Sequence, residues 1–313
     1  MKVSLREKRF PSATGVCDIR YRMWVPEEPR AALQVTHGMA EHIDRYDAFA
    51  NFLAQNGILV YGFDMASHGK SIRDDMPRGW FGEKNGWDAL VQDMRTLRDF
   101  VKAEFPSLPY ILMGHSMGSF LARSYAGRDG VDFDAFIFSG TAGKNPVLGM
   151  GKLLAKREIK KTGGKTPSQS LYNLSFGSYN KAFKPNRTES DWLSRDEAQV
   201  DQYCVDENCG YAFTASGMLD MFNGLGEISS KEWAKRVPKR PIFVLSGLND
   251  PVGGAKAKGV KQVAGWLSAT GHAVELKLYE GGRHEMLNET NKDEVYNDIL
   301  LFIDTVEAMG ERE

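Results

Sequence analysis

The sequence has few cysteines, no surplus of either charge and no long apolar run. Its 313 residues include only Cys17, Cys204 and Cys209, too few for a disulfide framework, and no histidine pair or second cysteine pair stands near Cys204 and Cys209 to complete a zinc site. The 40 basic and 41 acidic residues give a net charge of -1, which gives no reason to expect nucleic acid as a partner. No run approaches the roughly 18 apolar residues of a membrane span, and residues 1–9 lack the apolar segment of a signal peptide. We therefore expect a cytoplasmic enzyme without a metal site.

Short apolar runs alternate with helical patterns along most of the chain. The composition, 42% hydrophobic and 26% charged, is that of an ordinary globular protein. Predicted strands cover 18–25, 31–36, 58–63, the run before Gly114, 135–138, 242–245 and 274–279, and predicted helices lie near 45–56, 84–104 and 291–308, with one more after Gly118. This alternation predicts an α/β fold with a doubly wound, mostly parallel sheet.

One interval interrupts the alternation. About a hundred residues separate the strand ending at Phe138 from the one starting at Ile242, far more than a crossover needs. We predict a helical cap at 141–235, inserted into a core formed by 1–140 and 236–313. Two interpretations of the cap stay open. Its basic first half and acidic second half pair around a small core, or its apolar start lines an acyl tunnel and touches lipid surfaces.

The pattern Gly114-His115-Ser116-Met117-Gly118 lies between a buried strand and a helix. A serine on such a sharp turn has a strained backbone, and side chains two residues before and after it would clash, so glycine is needed there. The following helix places its N-terminal N–H groups where negative charge develops in acyl transfer. The pattern alone is weak, but its context favours Ser116 as a nucleophile over a structural serine in a glycine-rich turn.

A nucleophilic serine needs a base, and the base needs an acid that orients it. Of the six histidines, His284 follows the last predicted strand directly, where a loop can reach the carboxyl edge of the sheet. Asp250 follows the strand 242–245 in the same way. The order Ser116, Asp250, His284 is that of the α/β-hydrolases. The alternatives are an aspartate that caps a turn and a histidine in a surface loop.

An oxyanion hole needs two backbone donors, one after the nucleophile and one from the loop after an early strand. These donors are predicted to be the N–H groups of Met117 and Met39, and Gly38 lets the second loop approach closely. The side chains near these loops are expected to brace them rather than to react; they are His37, Glu41, Asp64 and His68.

Several stretches together resemble the monoacylglycerol lipase/lysophospholipase branch of the α/β-hydrolases, a group also described as serine aminopeptidase-like. They are His37-Gly38-Met39-Ala40-Glu41-His42 with Arg45-Tyr46, Asp64 with His68-Gly69-Lys70-Ser71, the turn around Ser116, Asn249-Asp250-Pro251-Val252, and His284-Glu285. The resemblance implies an α/β-hydrolase fold with a cap that controls access. It also implies Ser116 as nucleophile, Asp250 and His284 as its partners, and Met39 and Met117 as oxyanion donors.

The function predicted from these residues is hydrolysis of a monoacylglycerol or lysophospholipid through an acyl-enzyme, with no cofactor. The expected partners are a small lipid or ester substrate and, transiently, a membrane surface at the cap. One alternative is a proline iminopeptidase-type aminopeptidase, which would need a buried carboxylate in the cap, and the acidic segment 189–207 keeps this open. Another is a receptor that keeps the pocket without turnover.

Overall fold

The computed structural model describes residues 2–310 and is built around one sheet of eight strands. The strands are β1 Val3–Pro11, β2 Asp18–Pro26, β3 Ala31–Thr36, β4 Ile58–Phe63, β5 Tyr110–His115, β6 Ala135–Ser139, β7 Ile242–Gly247 and β8 Val274–Tyr279. Their spatial order is β1-β2-β4-β3-β5-β6-β7-β8. The pairs β1/β2 and β2/β4 are antiparallel and the other neighbours are parallel. The predicted mostly parallel sheet is therefore confirmed.

The helices cover both faces of this sheet. They are α1 Asp47–Gln55, α2 Gly86–Glu104, α3 Met117–Asp129, α4 Leu148–Thr162, α5 Gln169–Phe176, α6 Glu197–Val205, α7 Ala215–Ile228, α8 Lys231–Arg236, α9 Lys258–Ser268 and α10 Lys292–Gly310. Helices α1 and α10 pack on one face, while α2, α3 and α9 pack on the other. Every residue of β3 to β7 is buried because side chains on both sides of these strands meet a helix layer. None of the helices in residues 2–310 combines the length and hydropathy needed to cross a bilayer.

The edge strand β1 was not predicted from the sequence. It pairs with the full length of β2, but its residues are mostly exposed, and four consecutive residues, 6–9, are charged. Charges of this kind are common on edge strands because they discourage pairing with another chain. They also hide the apolar alternation by which a strand is recognised. Phe10 is the buried anchor, with its ring 5.9 Å from that of Tyr21.

Helices α4 to α8 all lie between β6 and β7, where a cap was predicted. The proposed limits 141–235 stay a prediction. Within residues 2–310, no ion pair joins the basic residues of 156–165 to the acidic residues of 189–206. Lys165 pairs instead with Glu83, while Asp201 pairs with Arg187 and Asp206 with His42. The charge-paired interpretation of the cap is therefore wrong, because these two halves form no ion pair with each other in the described residues.

Candidate active site

The turn between β5 and α3 holds Ser116 in a strained conformation. Its φ is 52° and its ψ is -122°, a region that residues with a side chain rarely occupy. A Cβ on Gly114 would lie 2.2 Å from the carbonyl oxygen of Gly118, and one on Gly118 would lie 2.1 Å from that of Thr36. Glycine is therefore required at both positions by backbone contacts. The Ser116 N–H donates to the Ser139 carbonyl oxygen at 3.0 Å, which ties the turn to β6.

The loop after β3 lies directly beside this turn. A Cβ on Gly38 would lie 3.2 Å from the Ser116 Cβ, so the backbone of this loop approaches the serine closely. Met39 lines the same pocket as Ser116. Met117 is the first residue of α3, and the N–H groups of the first helical turn have no acceptor within the helix. The two predicted oxyanion donors thus belong to the two backbone segments that meet at Ser116.

His284 and Asp250 are brought together from the loops after β8 and β7. His284 Nδ1 lies 3.0 Å from Asp250 Oδ2, and both side chains are buried. A carboxylate only accepts hydrogen bonds, so Nδ1 carries the proton and Nε2 is left as the basic nitrogen. Asp250 is held by two further donors, Ser246 Oγ at 3.1 Å and the Val252 N–H at 2.9 Å. Burial lowers the pKa of His284, but the charge and hydrogen bond of Asp250, together with the charges of Glu285 and Glu41, outweigh burial, and the net pKa is raised.

Ser116 and His284 line one small pocket of about 40 Å³. The Ser116 Oγ makes no hydrogen bond within residues 2–310, and such bonds commonly tighten only when substrate is bound. The His284 ring lies between two others, with centroids 4.6 Å from His115 and 5.0 Å from Trp192. Burial lowers the pKa of His115 to about 4, so this second imidazole is neutral at pH 7.

A buried arginine links the loop that carries Met39 to the loop that carries His284. Arg45 donates to Glu285 Oε1 and Oε2 at 2.6 and 2.5 Å, and to Glu41 Oε2 at 2.7 Å. Glu41 Oε1 accepts from the Gly38 N–H and, at 2.9 Å, from the Tyr46 hydroxyl. Burial raises the pKa of Glu285, but the charge and hydrogen bonds of Arg45, with smaller contributions from His115 and Asn288, together outweigh burial and lower the pKa to about 2. Glu285 therefore stays ionised and the network stays intact at neutral pH.

His37 and Asp64, which were predicted to brace the loops, have that role in the structure. His37 Nδ1 donates to the Gly38 carbonyl oxygen at 2.8 Å, and its Nε2 accepts from the Met65 N–H at 3.0 Å. Burial lowers the pKa of His37 to about 3, so the ring is neutral. Asp64 accepts from the Ile43 and Lys70 N–H groups, each at 2.9 Å.

Two features of the site were missed by sequence reasoning. The sequence analysis assigned no role to Arg45 or to Trp192. The partners Arg45 and Glu285 are separated by 240 positions, and nothing in the local sequence around Trp192 marks it as a neighbour of His284. The loop that carries Trp192 is held over His284 by the backbone, since the Glu285 N–H donates to the Leu193 carbonyl oxygen at 2.7 Å.

A larger cavity of about 730 Å³ extends from Ser116 beneath the helices of the inserted segment. Its apolar lining residues include Leu148, Phe176, Met221, Phe222 and Leu225. Helix α4 contributes to this wall because Gly151 lets it pack closely on α7, where a Cβ on Gly151 would lie 3.2 Å from the Phe222 ring. No aspartate or glutamate in the described residues lines this cavity, whose charged lining residues are Lys144 and Lys258.

Comparisons with known proteins show which hydrolases this chain is similar to. The monoacylglycerol lipase of Mycolicibacterium smegmatis is 29% identical over 313 residues, covering 97% of this chain and 99% of that protein. The human monoglyceride lipase is 26% identical, covering 90% of this chain and 85% of that protein. The crystal structure of a carboxyl esterase from Bacillus coagulans in complex with glycerol is 30% identical, with a TM-score of 0.91, and covers 98% of this chain and 100% of that one.

The predicted resemblance is confirmed at the level of the family. The sequence profile described as "Serine aminopeptidase, S33" matches residues 27–291, most of the chain. The monoglyceride lipases among the relatives belong to the branch to which the sequence motifs pointed. The chain therefore belongs to the serine aminopeptidase (S33) family of α/β-hydrolases.

Proposed function

We propose that this protein hydrolyses the ester bond of monoacylglycerols or lysophospholipids, with Ser116 as nucleophile, His284 as general base and Asp250 as the acid that orients it. The observation that carries the proposal is the cavity of about 730 Å³, which has Ser116 on its wall and an otherwise largely apolar lining. Apolar surface of this kind binds an acyl chain by removing it from water. The names of the relatives, monoacylglycerol lipase and carboxyl esterase, support ester substrates.

The reaction takes place in two steps. In the first, Ser116 Oγ attacks the ester carbonyl carbon while His284 Nε2 takes the hydroxyl proton and then passes it to the departing alcohol. The N–H groups of Met39 and Met117 stabilise the negative oxygen of the tetrahedral intermediate. In the second step, water attacks the acyl-enzyme, His284 Nε2 takes its proton, and the fatty acid leaves as Ser116 regains its hydrogen. The hydrogen bond to Asp250 keeps the proton on Nδ1 throughout.

The aminopeptidase alternative needs a carboxylate that can bind the substrate ammonium group. In residues 2–310, the acidic residues lining the small pocket around Ser116 are Glu41 and Glu285. Every oxygen of these two carboxylates already accepts a hydrogen bond, from Arg45, the Gly38 N–H, the Tyr46 hydroxyl or the Asn288 amide, so none is left without a donor. The acidic segment 189–207, which kept this alternative open, contributes no carboxylate to the lining of either pocket. The ester reaction therefore fits the site better.

The outer surface of α4 supports transient contact with a lipid surface. Val147, Met150 and Leu153 are each about half exposed, with exposed fractions of 51%, 50% and 50%. The exposed basic residues Lys156 and Lys160 follow on the same helix. An apolar surface flanked by lysines is typical of helices that lie at an anionic membrane surface. Sedimentation with anionic vesicles should carry the wild-type protein down and leave a Met150→Glu/Leu153→Glu variant in solution.

The substrate class is tested by comparing three compounds with the same enzyme preparation: a monoacylglycerol, a lysophospholipid and an aminoacyl arylamide. We expect turnover of at least one of the two lipids and none of the arylamide. Within the preferred lipid, kcat/KM should rise about fourfold for each added CH₂, since each contributes about 0.8 kcal/mol, until the cavity is filled. Preference for the arylamide, or no dependence on acyl length, would contradict the proposal.

The receptor alternative is tested separately with a fluorophosphonate, which reacts with activated serines. Wild-type protein should be labelled in the Ser116 peptide, and heat-denatured protein should not, because reactivity depends on His284. An unlabelled native protein that still binds a fatty acid in the cavity would favour a receptor over an enzyme.

A further inference from the structure

Three potential metal-binding side chains from distant parts of the chain meet beside the loop after β3. They are His42, Asp206 and Cys209, and one ligand atom from each lies within 4.8 Å of the others. Among the described residues 2–310, no other group of three potential metal ligands lies this close together. The sequence analysis expected no metal site because it counted only cysteines and histidines that are neighbours along the chain. The fold brings His42 to Asp206 from 164 positions away, and Cys209 follows Asp206 closely along the chain.

The donor atoms match the preference of one ion. An imidazole nitrogen, a carboxylate oxygen and a thiolate sulfur together suit Zn²⁺, which accepts all three types. In a tetrahedral zinc site with bonds of about 2.0–2.3 Å, ligand atoms lie about 3.3–3.8 Å apart. His42 Nε2 and Asp206 Oδ2 are now 2.8 Å apart, so these two atoms would move slightly apart around an ion.

The protein already holds these side chains in place. Asp206 Oδ1 accepts from the Asn208 N–H at 2.8 Å, which leaves Oδ2 directed at His42. The Cys209 N–H donates to the Asp206 carbonyl oxygen at 2.9 Å, and this turn places the carboxylate and the thiol on one side. His42 is packed against Gly69, where a Cβ would lie 2.7 Å from the His42 Cβ. The three residues are only partly buried, so an ion can reach them from solvent.

We propose that His42, Asp206 and Cys209 bind one Zn²⁺ ion, with water as the fourth ligand. On binding, the Cys209 thiol releases its proton to solvent and the thiolate coordinates the ion. The bound ion joins the turn after α6 to the loop after β3. These two segments already meet through the Gly210 N–H, which donates to the Ala40 carbonyl oxygen at 3.0 Å. The proposal is independent of the ester substrate.

The test uses Co²⁺ as a spectroscopic substitute for Zn²⁺ in the full chain, after dialysis against a chelator. We expect a sulfur-to-cobalt charge-transfer band that saturates at one equivalent and disappears when Zn²⁺ is added. Cys209→Ser should abolish the band. His42→Ala and Asp206→Asn should weaken binding by at least about tenfold, as loss of a direct ligand costs at least as much as loss of an outer contact.

Cys204→Ser is the matched control, since Cys204 is an exposed cysteine nearby that lies outside the cluster. Zn²⁺ should also raise the Tm of the wild-type protein. Cys204→Ser should keep both the charge-transfer band and this rise in Tm, whereas Cys209→Ser should lose both. Circular dichroism of each variant in the presence of chelator shows whether the variant is folded. If Cys209→Ser does not fold, Cys209→Ala replaces it in the same test. No saturable band in the wild type, or a band that survives removal of Cys209 and is lost with Cys204, would overturn the proposal.

Discussion

The cavity beside Ser116 has two walls that are fixed in different ways. The loops at the carboxyl ends of β3, β5 and β7 form one wall, and together with the loop after β8, which carries His284, they are locked by backbone contacts and a buried ionic network. The helices between β6 and β7 form the other wall by side-chain packing, and α4 leaves half of its apolar side chains exposed. The first wall carries the groups proposed for bond breaking, and the second shapes the space for the substrate. The same type of substitution should therefore have different effects on the two walls.

The largest difference is expected between two serines on the same cavity. Ser116→Ala should lower kcat by about 10⁴–10⁶-fold, because it removes the proposed nucleophile while leaving the turn intact. Ser175 lines the cavity from α5, and Ser175→Ala should change kcat less than tenfold. Steady-state hydrolysis of a short soluble ester measures both. Near wild-type turnover by Ser116→Ala would end the assignment of the nucleophile.

The next effect concerns the partner of His284. Asp250→Asn should lower kcat by about 10⁴-fold, because an amide no longer fixes the proton on His284 Nδ1. Ser246→Ala removes only one hydrogen bond to Asp250, worth about 1 kcal/mol, so a loss of about fivefold is expected. Comparable losses in the two variants would show that Asp250 supports the loop rather than the imidazole.

The third effect concerns stability rather than turnover. Gly118→Ala would place a methyl group 2.1 Å from the Thr36 carbonyl oxygen, and neither backbone segment can move without displacing β3 or α3. We expect the free energy of unfolding to fall by about 3 kcal/mol or more, with poor recovery of soluble protein. Denaturant unfolding followed by fluorescence measures this. Wild-type stability would mean that the turn is looser than its contacts indicate.

The same contrast explains what the sequence could predict. Ser116 and Asp250 follow buried strands, His284 follows the edge strand β8, and parallel strands bring their carboxyl ends to one edge of a sheet. Their proximity therefore followed from local patterns. The position of Trp192 on His284 and the grouping of His42 with Cys209 depend on how the inserted helices fold back. No local pattern encodes that, and β1 was missed because an exposed, charged edge strand lacks apolar alternation.

The pH dependence should report the first wall alone. His284 must be neutral to accept a proton, and Asp250 raises its pKa, so kcat/KM should fall about tenfold per pH unit below a midpoint above about 6.5. Neither His115 nor Glu285 titrates in that range, since the pKa of His115 is lowered to about 4 and that of Glu285 to about 2. A midpoint well below 6.5 would mean that Asp250 does not interact with His284 in the free enzyme.

The smallest effect should come from a glycine on the second wall. Gly149 lies in the first turn of α4, and a Cβ there would meet no atom within 4 Å. Gly149→Ala should therefore stabilise the protein by about 0.4–1 kcal/mol, because alanine loses less backbone freedom on folding. The expected rise in Tm is about 1–3 °C, with kcat on a short soluble ester unchanged. A loss of stability comparable to that of Gly118→Ala would show that α4 is as tightly constrained as the turn at Ser116, and the distinction between the two walls would fail.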